Sequence, residues 1–138
     1  MKKTQLLNPQ LSYVVASLGH FDELTICDAG LPINDQNKRI DLALTHGVPS
    51  FIDTVRVLLT EVHIIGVLLA DEFEQANPNI YHALISLLKE QQVNGHHIDI
   101  QYISHESFKT RTLQSKAVVR TGECSPYANV IFQSGVVF

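Results

Sequence analysis

The stretch Ile64-Ile65-Gly66-Val67-Leu68-Leu69-Ala70 leaves this chain few options. A near-continuous apolar run rich in branched residues has no side to offer to water. It reads as a central strand covered on both faces, the pattern of a sheet packed between helices. It is also far short of the ~20 residues that span a bilayer, so no membrane insertion is expected.

The segments around this run alternate in type. Asn8-Pro9 predicts a helix start, and Leu11, Val14, Val15 and Leu18 follow at helical spacing up to Gly19. Leu24–Cys27 predicts a short buried strand, followed by a loop from Asp28 to Asn37. Ile40, Leu42 and Leu44 alternate with Arg39, Asp41 and Ala43, which predicts a strand that Gly47 and Pro49 end. Phe51 to Val62 returns to helical spacing. Pro78 opens another helix, with Ile80, Leu84, Leu87 and Leu88 on one side and Asn94-Gly95 closing it. Ile98, Ile100 and Tyr102 alternate as a strand, and Ser104 caps a short helix over 105–114. Ala117–Arg120 and Val130–Phe132 are late strands separated by the loop Thr121–Asn129. Strands alternating with helices predict an α/β three-layer sandwich, its central sheet largely parallel or mixed and flanked by helices. The late strands are expected to add a mixed or antiparallel edge.

A chain of 138 residues is expected to be a single domain, 1–138, large enough to fold without disulfides or metal. Only 17% of it is charged, against ~25% in typical soluble domains, so some surface is expected to be covered by another copy. The net charge of −4 argues against a nucleic-acid partner or a polybasic membrane surface. Cys27 and Cys124 are expected to be free, buried thiols in a reducing cytoplasm. No signal peptide is evident after Met1-Lys2-Lys3.

Standard cofactor motifs are missing. The chain has no G-x-G-x-x-G, no phosphate-binding G-x-x-x-x-G-K-[ST], no G-x-S-x-G, no C-x-x-C and no H-E-x-x-H. Three clusters remain: Gly19-His20-Phe21-Asp22 before the first strand, Cys27-Asp28-Ala29-Gly30-Leu31-Pro32 after it, and the block from Arg120 to Asn129. Ligands of open α/β sheets gather outside the carboxyl ends of strands. Asp28 stands at such an end, and His105 stands at the same edge if its strand runs parallel. Tyr127 and Asn129 offer a hydroxyl and an amide suited to a polyol. Each residue also has a plainer reading. A lone loop histidine such as His20 is more often a solvated residue than a catalyst. An Asp after a strand is often an Asx turn, and Tyr127 can simply pack its ring. His96-His97 and Asp71-Glu72-x-Glu74 read more naturally as exposed turns than as metal sites.

Taken together the clusters point to a family. Leu18-Gly19-His20, Cys27 to Pro32, Arg39-Ile40-Asp41, Gly47 to Phe51, Arg120 to Asn129 and Gly135-Val136 resemble the D-ribose pyranases, in order along nearly the whole chain. The related L-fucose mutarotases typically carry Ala-His-Phe-Pro and Tyr-Gly-Asn where this chain has Ala29-Gly30-Leu31-Pro32 and Tyr127-Ala128-Asn129. The resemblance implies interconversion of the β-pyranose and β-furanose forms of D-ribose, without cofactor or metal, beside a ribose uptake system. It implies His20 as the proton-transferring residue, with sugar contacts from Asp28, His105, Tyr127, Ala128 and Asn129. It further implies a homo-oligomer, a decamer of two pentameric rings, with the sugar cleft between subunits. The alternatives are a fucose-type mutarotase and a non-catalytic sugar-binding partner of a transporter.

The chemistry fits these residue types. Opening a cyclic hemiacetal needs a proton delivered to the ring oxygen and another removed from the anomeric hydroxyl, and an imidazole of pKa ~6.5 can do both near neutrality. His20 and Asp28 are eight residues apart, up to ~26–29 Å if extended. They meet either through a bend around Phe21–Glu23 or across a subunit boundary.

Overall fold

A computed structural model describes residues 1–138. Its centre is a six-stranded sheet in the order β2-β5-β1-β6-β3-β4. The strands are β1 (Glu23–Cys27), β2 (Arg39–Asp41), β3 (Ile64–Ala70), β4 (Asp99–Ile103), β5 (Ala117–Arg120) and β6 (Val130–Ser134). β1 pairs parallel with β5, β5 with β2, and β3 with β4. β6 lies between β1 and β3 and runs antiparallel to both. Five strands therefore share one direction, and the sixth returns through the middle of the sheet.

That placement corrects one expectation. The antiparallel strand is internal, not an edge, and β5 is a parallel inner strand. The cause is the loop 121–129. It leaves β5 at the carboxyl edge, crosses the end of β1 and enters β6 from the same edge, so β6 must run backwards.

The helices are α1 (Pro9–Ser17), α2 (Phe51–Leu59), α3 (Phe73–Ala76), α4 (Pro78–Gln91) and α5 (His105–Arg111), the last extended by a 3-10 turn over Thr112–Gln114. Their starts are set by short polar side chains. Asn8 Oδ1 accepts the Leu11 N–H at 2.9 Å, Ser50 Oγ that of Asp53 at 3.1 Å, and Ser104 Oγ that of Ser107 at 3.1 Å. Leu11 and Val14 of α1, Val55 and Leu58 of α2, and Leu84 and Leu88 of α4 pack with Leu24, Ile26, Val67, Leu69, Val119 and Phe132 into the main core on one sheet face. Cys27, Leu68, Val118 and Ile131 face the other way and pack on Phe108 of α5. The result is the expected three-layer sandwich with unequal outer layers. No helix is long and apolar enough to cross a membrane.

Three local expectations shift. The strand at 39–44 stops at Asp41, because after the Leu42 N–H bonds Arg120 O at 2.9 Å the chain turns into the Thr45–Val48 bridge. Leu44 is exposed there despite its place in the alternation. The helix from Phe51 ends at Leu59 rather than Val62, although Val62 stays buried. The short helix α3 was not signalled by any periodic pattern.

Candidate active site

Because β1, β3, β4 and β5 run in one direction, their carboxyl ends meet at one edge, where β6 also begins. This places Asp28 after β1, His105 after β4 and Tyr127-Ala128-Asn129 before β6 side by side.

Asp28 and Asn129 are joined twice. Asn129, wholly buried, accepts the Asp28 backbone N–H on Oδ1 at 2.9 Å and donates from Nδ2 to Asp28 Oδ2 at 3.0 Å. The Gly30 N–H donates to Asp28 Oδ1 at 2.9 Å, which is the Asx turn of the plainer reading. The turn and the site coexist: it fixes a carboxylate that still lines a cleft. Burial pushes the Asp28 carboxyl above its ordinary range, while N–H donors from Gly30, Asn129 and Leu31 and the nearby His105 pull it down by less.

His105 presents its ring edge-on to Tyr127, centroids 4.9 Å apart at 80°. Its backbone N–H donates to Glu72 Oε2 at 3.1 Å. Its Nδ1 is buried without a hydrogen-bond partner in the chain. Ala128 is buried, and Tyr127 stands at φ 58°, in the left-handed region. Asp28, Ala29, Gly30, Glu123, Cys124 and Ser125 line an open cleft of about 450 Å³. Pockets of this size ordinarily take small molecules.

His20 is elsewhere. It precedes β1 at the opposite edge, exposed, with its ring stacked on Phe21 at 3.8 Å. The following Phe21 N–H bonds the Ser134 carbonyl at the far end of β6. β1 pairs in unbroken register with β5 and β6, and its five residues alone separate the edges by ~17 Å. Within one chain His20 therefore does not reach the Asp28 cluster.

The cysteines divide. Cys27 is buried on the α5 face, and burial pushes its thiol up to about 12. Cys124 is exposed, contrary to expectation, because the loop that carries it runs over the surface and forms the cleft wall. No group of three or more His, Cys, Asp or Glu side chains is arranged to hold a metal ion.

Sequence reasoning missed the residues that shape the loop. Thr121 Oγ1 donates to Cys27 O at 2.8 Å, and Arg120 Nε donates to Ala29 O at 3.0 Å. Gly122 packs so closely on the Thr45 and Val48 carbonyls that a Cβ would strike them. Glu123 Oε2 accepts the Phe51 N–H at 3.2 Å, at the start of α2. Their only signal in the sequence was membership of the block Arg120 to Asn129.

A sequence model of the RbsD / FucU transport protein family matches residues 1–137. The chain belongs to this family. It is 70% identical over 138 residues, all of both chains, to the D-ribose pyranase of Psychromonas ingrahamii. It is 68% identical over 139 residues, again over full length, to that of Vibrio cholerae. The solved structure of Bacillus subtilis RbsD complexed with D-ribose superposes over all of both chains with a TM-score of 0.91 at 44% identity. The fucose mutarotase of Streptococcus pneumoniae, in complex with L-fucose, shares the fold at a TM-score of 0.83 and 23% identity.

Proposed function

We propose that this chain is an isomerase that interconverts the β-pyranose and β-furanose forms of D-ribose by general acid–base catalysis. One observation carries the reading. Asp28, His105, Tyr127 and Asn129, distant in sequence, converge at one sheet edge of a chain 70% identical over full length to a D-ribose pyranase.

In this reading the sugar binds at the cleft that Asp28 lines, with His105, Tyr127, Ala128 and Asn129 grouped beside it as its further contacts. His20 moves protons. A proton goes to the ring oxygen as its bond to the anomeric carbon breaks, and the anomeric hydroxyl gives one up, leaving the open aldehyde. Another hydroxyl then attacks that carbon and the protons return. No electrons leave the sugar and no bond to phosphate breaks, so the reaction needs no cofactor.

His20 stands across the sheet from the cleft, so the reading requires a second copy to supply it. The assembly proposed is a homo-oligomer, a decamer of two pentameric rings, working in the cytoplasm as one domain per chain. Exposed Tyr13, Phe21, Leu44 and Phe138 provide apolar surface for such contacts.

Saturation-transfer NMR on equilibrated ribose should show faster pyranose exchange with catalytic amounts of protein. His20→Ala should slow that exchange by ~10²–10⁴ while ribose binding remains measurable. Binding without any enhancement would select the second reading, a non-catalytic sugar-binding partner of a transporter. That reading is favoured only by the absence of His20 from its own chain's cleft. Faster exchange of fucose than of ribose would select a fucose-type mutarotase, against the identities of 44% and 23% to the ribose-bound and fucose-bound relatives.

A further inference from the structure

Two Asn-Pro pairs open helices in this chain, and they behave differently. Asn8 caps α1 with its side chain. Asn77 precedes Pro78 at the start of α4 and makes no side-chain cap bond. The residue is only 9% exposed, and its amide gives N–H protons to the site loop instead, one to Ser125 Oγ at 2.8 Å and one to the Pro126 carbonyl at 2.9 Å. A carbonyl only accepts, so the NH₂ group must face this way. The Ser125 hydroxyl in turn donates to Glu123 Oε1 at 2.8 Å, and Glu123 Oε2 accepts the Phe51 N–H. A carboxylate only accepts, so every link in this relay has one direction. It ties the starts of α4 and α2 together through Ser125.

The segment it holds needs holding. Tyr127 occupies a left-handed conformation that side-chain-bearing residues rarely adopt, and its carbonyl accepts the Asn129 N–H two residues on at 2.8 Å. Asn129 then makes the paired bonds to Asp28.

We propose that Asn77 is a positioning residue for the sugar site: it forgoes capping α4 to anchor Ser125 and Pro126, and so sets Tyr127 and Asn129 against Asp28. The choice of ribose as the ligand rests on the function proposed above; the tether itself does not.

Asn77→Asp separates the tether from helix stability. Aspartate caps helices as well as asparagine and has its size, but an ionised carboxylate donates nothing. A residue that served only α4 would tolerate the change. The tether predicts a ribose KM raised about tenfold, the scale of two lost neutral hydrogen bonds, with kcat kept within about twofold. It also predicts faster amide hydrogen exchange at Tyr127–Asn129 in the sugar-free protein, with the core of α4 unchanged. Wild-type amide exchange in this loop would overturn the proposal whatever the activity. If Asn77→Asp does not fold, Ser125→Ala decides by the same measurement, since it removes a link of the relay and leaves the residue at the start of α4 unchanged. A wild-type protein inactive on ribose would refute the ribose reading, and the loop's amide exchange would still decide the tether.

Discussion

Asp28 is partly buried and accepts two donors at once, and burial works against the charge that those donors favour. Its Oδ1 takes the Gly30 N–H and its Oδ2 the Asn129 amide, so an amide at position 28 could satisfy only one. Asp28→Asn should therefore cost about 1–2 kcal/mol. The pH dependence has a definite sign. Burial raises the folded carboxyl above its ordinary 3.8, so the folded chain binds the proton more tightly than the unfolded chain. The stability this provides is complete below 3.8 and is lost as pH rises through the folded value. The lead of the wild type over the non-titrating Asp28→Asn is thus largest at the acid end and shrinks toward neutrality. Urea midpoints of both proteins between about pH 4 and 7 check this, and a lead that grew with pH would mean the surroundings stabilise the charge. At this scale the order of strands and loops in the sequence pointed to the edge where the structure gathers Asp28, His105, Tyr127 and Asn129. It was a poor guide to Asn77 and Glu123. A polar side chain beside a proline or within a turn reads the same whether it serves its neighbours or bonds a partner 48 or 72 residues away.

Elements bring the unequal layers of the sandwich into view. The main core face is sealed by α1, α2 and α4, whereas the opposite face has α5 and its 3-10 turn. On that thin side polar contacts share the work of packing. Thr25 Oγ1 and Ser115 Oγ lie 2.7 Å apart, and Arg111 of α5 clasps Glu23 of β1 with both Nε and Nη2, the shortest contact being 2.6 Å. The Glu23 side chain is 5% exposed and that of Arg111 38%, so the carboxylate depends on its partner more than the reverse. Arg111→Ala should cost about 2 kcal/mol, below the range for a fully buried pair because water reaches one member. Urea unfolding measures it, and a cost no larger than that of an ordinary surface change, ~0.5 kcal/mol, would show the pair adds nothing. Element types were largely legible: the apolar run of β3, the caps Asn8 and Ser104, and the stripe of α4 each carry local information. The position of β6 was not. Its residues read as an apolar strand, but only the loop over the end of β1 decides that it lies between β1 and β3.

At the scale of the whole molecule, the role proposed for His20 has a geometric requirement, because one chain holds it across the sheet from Asp28. β1 is fully buried over Glu23–Cys27 and pairs in unbroken register with β5 and β6, so it cannot fold back to carry its two ends together. If His20 catalyses, it acts on a sugar held by another copy, and each working site takes His20 from one chain and the Asp28–Asn129 cluster from the next. Closed rings of identical chains make such head-to-tail sharing repeat at every interface. Co-expressing His20→Ala with Tyr127→Ala tests this directly. Each variant alone leaves every site short of one group and should be nearly inactive. In a random equal mixture about a quarter of the interfaces join an intact His20 to an intact Tyr127, so pyranose exchange should recover to about that fraction of wild type. Tyr127→Ala keeps a side chain at the left-handed position and leaves Asn129 in place, so the loop's bonds to Asp28 remain available. Recovery requires no refolding within a chain, only the right neighbours. An oligomer that shows no recovery would confine each site to one chain and remove His20 from the mechanism, since the sheet holds it on the wrong edge.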